Sequence, residues 1–190
     1  MKILHFALAG ALALASFTGG ALAQSKDDYL TIELKDGPVV IELRPDIAPK
    51  HVQRMKELAA AGEYDNVAFH RVIQGFMAQT GDVQYGDIEE GFRPELAGTG
   101  GSTKPDLPAE FSDVPFERGT VGMARSQDPN SANSQFFIMF APGDFLNGQY
   151  TVVGKVVEGM ENVDKIKRGD EANNGAVSDP DRMISVKVGK

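Results

Sequence analysis

The sequence predicts a mainly β protein, a barrel closed so that its strand edges are protected, with two helices laid against it. Two observations carry this: several short segments alternate apolar and polar residues at the two-residue period of a strand, and only two stretches carry helical spacing. The chain has 190 residues and no internal repeat or composition shift, so one domain with a substantial core is predicted.

The first strand is Tyr29 to Leu34, where Leu30, Ile32 and Leu34 alternate with Thr31 and Glu33. Asp36-Gly37 is a hairpin turn signal, and the return strand Val39 to Leu43 carries Val39, Ile41 and Leu43 on one face. Pro49 suits the first position of a helix. From Lys50 to Ala61 the residues Val52, Met55, Leu58 and Ala59 recur at helical spacing, and Gly62 supplies the stop. His51, near the start of that helix, reads as solvated.

The stretch Val67 to Asp82 places an arginine among apolar neighbours. At strand period Phe69, Arg71 and Ile73 share one face and His70 and Val72 the other. After the break at Gly75, Met77 and Gln79 face one way and Phe76 and Ala78 the other. A guanidinium beside Phe, Met and Gln can grip a carbonyl oxygen next to an apolar group. Spacing alone favours the plainer reading, in which Arg71 extends to solvent from a core segment.

Gly81 to Lys104 is polar and glycine-rich and reads as a surface loop. Gly98-Thr99-Gly100-Gly101-Ser102 is not a phosphate loop: Thr103 stands where a third glycine is needed, and no Gly-Lys-Ser/Thr follows. Pro108 to Phe111 opens a further short segment. Gly119 to Arg125 reads as a strand whose glycines admit another backbone, Ser134 to Phe140 as a buried strand, and Tyr150 to Val157 as another, after the turn Asp144 to Gln149. Met160, Val163 and Ile166 mark the second helix. The last strand, Ile184 to Val188, turns Ile184, Val186 and Val188 inward, after a polar loop from Gly169 to Asp181.

The formal net charge is −8, which argues against nucleic acid as a partner. There is no cysteine, which excludes thiol nucleophiles, disulfides and cysteine-ligated metals. Met1-Lys2, the apolar run Ile3 to Phe17 and Ala21-Leu22-Ala23 have the order of a secretory leader cut after Ala23, leaving a mature chain 24–190. No other stretch could span a bilayer, so no stable membrane association is expected after cleavage. Hydrolase chemistry finds no support, since there is no Gly-x-Ser-x-Gly or His-Glu-x-x-His, and beyond the leader the histidines are His51 and His70. His70 should point opposite to Arg71, into the core, as a satisfied structural group.

Three segments taken in order, Phe69-His70-Arg71-Val72-Ile73-Gln74-Gly75-Phe76-Met77-Ala78-Gln79, Met123-Ala124-Arg125 and Ser134-Gln135-Phe136-Phe137-Ile138, resemble the cyclophilin family of peptidyl-prolyl cis–trans isomerases, particularly its exported bacterial members. The resemblance extends to Ala48-Pro49-Lys50, Gly98-Thr99-Gly100-Gly101, Phe145-Leu146-Asn147-Gly148 and Gly154-Lys155-Val156. It implies a closed antiparallel barrel of eight strands capped by two helices, with a substrate groove on the outer face. It puts the catalytic arginine at Arg71 and the glutamine that orients it at Gln79. Phe76, Met77, Phe137 and Leu146 match the proline pocket. Ala124, Arg125 and Gln135 match positions that hold the peptide backbone, and Gly98 and Thr99 match the second, shallower end of the groove. Phe145 and Tyr150 stand where the best-known eukaryotic members carry tryptophan and histidine, and Arg125 where asparagine is frequent. An acidic insertion, Val83 to Ala97, lengthens a loop near the groove.

The resemblance implies isomerisation of Xaa-Pro bonds in unfolded or partly folded exported proteins, without cofactor or metal, by a monomer in the periplasm. The alternative is a proline-binding chaperone or assembly module in which isomerisation is dispensable.

Overall fold

The computed structural model describes residues 25–190, so the expected leader lies outside the described residues. Eight strands form one sheet: β1 (Tyr29–Leu34), β2 (Gly37–Leu43), β3 (Arg71–Ile73), β4 (Met77–Thr80), β5 (Thr120–Met123), β6 (Phe136–Met139), β7 (Val152–Glu158) and β8 (Ser185–Val188). Their spatial order is β3-β4-β6-β5-β7-β2-β1-β8, and every neighbouring pair is antiparallel. The two helices are α1 (Pro49–Ala60) and α2 (Met160–Val163).

The strand ladder does not close into the barrel expected from the sequence. β3 and β8 are the two edges of a curled, open sheet. The chain between them explains why: residues 169–183 run up the gap and take the hydrogen bonds that a closing ladder would need. Phe69 N–H donates to Asp181 O at 2.8 Å, Val72 N–H to Gly175 O at 2.8 Å, and Met183 N–H to Val67 O at 2.9 Å. Isolated bridges pair Ala68 with Arg182 and Arg71 with Ala176. The β3 edge is therefore covered by a strap rather than joined to β8, which satisfies the same backbone groups, and at the β8 edge Val186 N–H donates to Asp65 Oδ1 at 2.8 Å.

The hairpin forms as its alternation predicts, with Leu30, Ile32, Val39, Ile41 and Leu43 buried. Its turn lies one residue earlier than expected, at Lys35-Asp36, since Leu34 already pairs with Gly37. Helix α1 buries Val52, Met55, Leu58 and Ala59 against the inner face, each large apolar side chain contributing about 1.5–3 kcal/mol. Ala48 offers no capping side chain. Glu110, distant in sequence, replaces it: its Oε2 accepts from Lys50 N–H and His51 N–H, both at 3.1 Å, and pairs with His51 Nδ1 at 2.7 Å. His51 is thus wholly buried rather than solvated, because a carboxylate at the positive end of the helix covers it.

α2 is shorter than its apolar spacing suggests; Ile166 is buried but lies beyond the helix. Ile184 is 41% exposed rather than inward, since it precedes β8; Val186 is the buried residue of that strand.

The sheet has two apolar faces. Inside, Val72, Ala78, Ile138 and Val121 lie in register across β3, β4, β6 and β5 and join the main core. One residue further along each strand, the register row is Arg71, Gln79, Phe137 and Gly122. The pleat sends this row outward, to a second, smaller cluster of Met77, Phe116, Phe137, Met139, Leu146 and Val152.

Candidate active site

The outward row builds the site. Arg71 and Gln79 are cross-strand partners, and Arg71 Nη1 donates to Gln79 Oε1 at 3.3 Å. Gln79 in turn donates through Nε2 to Gln135 Oε1 at 2.9 Å, and Gln135 Nε2 donates to Gly100 O at 2.8 Å. The other side of the guanidinium is held by Asn174 on the strap: Nε–H donates to its carbonyl at 3.0 Å and Nη2–H to its Oδ1 at 3.0 Å. Asn174 is left-handed, with φ 51°, and that conformation turns both acceptors toward Arg71. Arg71 is therefore not a side chain extending freely to solvent. It is half-buried and held from two elements, and burial draws its pKa below the usual arginine range while leaving it charged. Its fork carries more N–H groups than these contacts use, so donors remain for a ligand.

Beside it the apolar pocket rests on Phe137. This ring stacks on Phe116 with centroids 5.6 Å apart and meets Tyr150 edge-on at 5.9 Å. Gly122 lets the rings lie flat on the sheet: a Cβ there would come within 2.5 Å of Phe116 Cε1 and 2.7 Å of Phe137 Cζ. Phe76 joins Met77 in the pocket, contrary to strict alternation, because it belongs to the turn between β3 and β4, where Gly75 has φ 70°. Phe145, 65% exposed, forms the rim and packs against Phe76 with ring centroids 5.4 Å apart.

A cavity of about 270 Å³ is lined by Arg71, Phe76, Met77, Gln79, Ala124, Arg125, Phe137, Phe145, Leu146 and Tyr150. A second, of about 230 Å³, adjoins it through Gln79, Ala124 and Arg125, and adds Gly98, Thr99 and Gln135 among its walls. Every site residue named from the sequence thus lies on one of two neighbouring concavities.

The loop that supplies Gly98 and Thr99 is irregular but anchored. Asp82 is fully buried; its Oδ1 accepts from the backbone N–H groups of Gln84 and Tyr85, and its Oδ2 from those of Gly98, at 2.7 Å, and Gly100, at 2.9 Å. Such charge-assisted bonds fix the second cavity's wall. Neither Asp82 nor Asn174 was identifiable as part of the site from spacing; Asn174-Gly175 signals a turn, but not what the turn reaches.

His70 is buried, as expected, yet not satisfied and not in the main core. Among the described residues neither ring nitrogen has a hydrogen-bond partner of normal geometry. His70 lines a cavity together with Phe92, Pro94 and Ala97 of the loop and Ala176 and Val177 of the strap. Burial pushes its pKa down to about 4, with Asp82 partly opposing.

Among the described residues no cluster of three or more histidine, cysteine or carboxylate side chains could hold a metal ion. The arrangement can bind an apolar ring, hydrogen-bond the backbone beside it and present a fixed guanidinium to a carbonyl or amide nitrogen.

Residues 29–188 match the family model for cyclophilin type peptidyl-prolyl cis-trans isomerases. A probable peptidyl-prolyl cis-trans isomerase of Brucella suis is 60% identical over 191 residues, covering 99% of this chain and 97% of the relative. Peptidyl-prolyl cis-trans isomerase B of Escherichia coli is 39% identical over 147 residues, covering 73% of this chain and 83% of the relative. Among solved structures, a cyclophilin type isomerase of Cryptosporidium parvum, crystallised in the presence of the dipeptide Ala-Pro, superposes with a TM-score of 0.72 at 27% identity, covering 85% of this chain and 99% of that one. A cyclophilin of Hirschia baltica gives a TM-score of 0.71 at 25% identity, covering 86% and 74%. With its fold, its outer groove and these relatives agreeing, the chain belongs to the cyclophilin-type peptidyl-prolyl cis–trans isomerases.

Proposed function

We propose that Arg71 is the catalytic residue of this isomerase, that Gln79 orients it, and that Phe76, Met77, Phe137 and Leu146 hold the substrate's proline ring. The observation that carries this is the outward register row, which puts a guanidinium anchored on two sides against the mouth of an apolar pocket. Ala124, Arg125 and Gln135 flank the peptide backbone, Gly98 and Thr99 border the second cavity, and Phe145 and Tyr150 form the rim and the aromatic wall.

Rotation about a peptide bond is opposed by about 18–20 kcal/mol, because the nitrogen lone pair is conjugated with the carbonyl. In the twisted state that conjugation is lost, and the carbonyl oxygen and prolyl nitrogen change in charge and shape. The pocket fixes the ring while the groove holds the chain on either side. Arg71 then donates hydrogen bonds that are stronger to the twisted amide than to the planar one, which is catalysis by differential binding. No bond is made or broken, and the mechanism calls for no cofactor or metal.

Turnover of a short Xaa-Pro peptide by the chain from Gln24 onward, beside Arg71→Ala and Arg71→Lys, tests this. Losing a contact worth about 3 kcal/mol in the transition state lowers kcat/KM about a hundredfold in Arg71→Ala. Arg71→Lys recovers little of it, since an ammonium lacks the planar fork. Activity near the parent level in folded Arg71→Ala overturns the assignment.

The substrates we assign are proline-containing segments of unfolded or partly folded exported proteins, met in the periplasm by a monomer whose leader, residues 1–23, has been removed. The positive start, the apolar run and the Ala21-Leu22-Ala23 site support this. Terminal sequencing of protein recovered from the periplasm should begin at Gln24; recovery of the intact chain from the cytoplasm alone contradicts it.

A further inference from the structure

The two cavities meet at one cation. Arg125 lines both, and its guanidinium is fixed there by neutral partners only: Nη2–H and Nε–H donate to Gln149 O at 2.8 and 3.1 Å, and Nη1–H to Ser126 O at 2.9 Å. The same group lies 4.3 Å from the centroid of the Tyr150 ring. Among the described residues neither Arg125 nor Arg71 has a carboxylate within ion-pair distance; Arg54 and Arg168 share this, whereas Arg44, Arg93, Arg118 and Arg182 each have one. No Asp or Glu stands in the wall of either cavity. In a chain of net charge −8 the groove is thus a local reversal of sign, with both of its charges positive and neither neutralised.

We propose that Arg125 makes this groove a reader of substrate charge: it favours an Asp or Glu side chain in the part of the peptide that crosses the second cavity, and disfavours Lys or Arg there. This rests on the first cavity being the proline site. The chemistry is complementarity at a partly desolvated edge. A substrate carboxylate meets a guanidinium already held in place, so little is lost in ordering it, whereas a substrate ammonium is brought beside a like charge that no carboxylate neutralises. Because the backbone acceptors hold Arg125 by neutral bonds, a carboxylate takes up a charge that nothing else in the groove compensates.

The test uses the purified protein and two peptide sets in a neutral frame, with Glu, Gln or Lys placed two residues before proline in one and two residues after it in the other. In one of the two sets kcat/KM should fall in the order Glu, Gln, Lys, spanning about fivefold at low ionic strength. The span should shrink toward unity at about 1 M salt, where screening reaches ~3 Å. Within Arg125→Gln the Glu-to-Lys ratio should fall to near one whatever that variant's overall turnover, and within Arg125→Lys the order should persist. A flat response in both sets, or an order that survives in Arg125→Gln, overturns the inference while leaving the proline site intact. Failure of the parent protein to turn over any peptide overturns the proline-site reading and this inference with it.

Discussion

The two faces of one patch of sheet, in β3, β4, β6 and β5, differ by a single residue of register yet do opposite things. Val72, Ala78, Ile138 and Val121 point inward, are almost wholly buried and belong to the main apolar core. Arg71, Gln79, Phe137 and Gly122, their immediate neighbours in sequence, point outward; two are polar and half-buried, one is an aromatic platform and one has no side chain. The inner row holds the fold together, and the outer row presents hydrogen-bond donors and an apolar pocket to the groove. On the proposed function, stability and chemistry are written on alternate residues of the same strands, and should be open to separate disturbance.

Phe137 is where that separation is weakest, because it is both packed against Phe116 and part of the pocket floor. Phe137→Ala should cost about 3–5 kcal/mol of stability and also raise KM for proline peptides, whereas Ile138→Ala should cost about 2–5 kcal/mol and leave kcat/KM per folded molecule near the parent value. Urea unfolding together with peptide turnover checks both. A large catalytic loss in Ile138→Ala at full folding would mean that the two rows are coupled.

His70 sharpens the comparison, since it adjoins Arg71 in sequence but is buried away from both rows. Its pKa is near 4 when folded and near 6.5 when exposed, so the unfolded chain binds the extra proton between those values. Stability is then full above about pH 6.5 and is lost as pH falls toward 4, by up to roughly 3 kcal/mol. Burial also lowers the pKa of His51, which adds a slope of the same sign. His70→Leu should flatten the larger part of the dependence in denaturant unfolding followed between pH 6.5 and 4; an unchanged slope would contradict this placement of His70.

A smaller effect is expected at the strap. Asn174→Gly keeps the left-handed backbone and its carbonyl but removes Oδ1 from Arg71. Loss of a charge-assisted bond worth about 1.5 kcal/mol should lower kcat roughly tenfold with KM little changed. A change in KM alone would place Asn174 in substrate binding instead.

What could be seen in the sequence was whatever repeats locally. The hairpin, α1 and the buried strand at Phe136 to Met139 were legible from period and turn chemistry, because burial on one face leaves a pattern within a few residues. The outward row was legible only in part. Strand alternation set Arg71 among apolar neighbours but left it as a solvated side chain, and the resemblance of the motifs supplied the rest. Contacts between distant segments left no local trace. Glu110 capping α1, Asp82 gathering four backbone N–H groups, and Asn174 holding Arg71 each join segments distant in sequence, and nothing around either partner names the other. The open sheet belongs with these: nothing in the last strand's alternation reveals that residues 169–183 occupy the place where it would have paired with β3.

The measurement that tests this division most directly is a paired one: the unfolding midpoint and the rate of catalysed cis-to-trans isomerisation, for Arg71→Ala and Ile138→Ala in the same buffer. The account predicts a reciprocal result. Arg71→Ala should lose about a hundredfold in rate with stability within about 1 kcal/mol of the parent, and Ile138→Ala should lose several times that stability with its rate per folded molecule preserved. Equal losses of rate in both variants, or an Arg71→Ala protein that isomerises as fast as the parent, would contradict it.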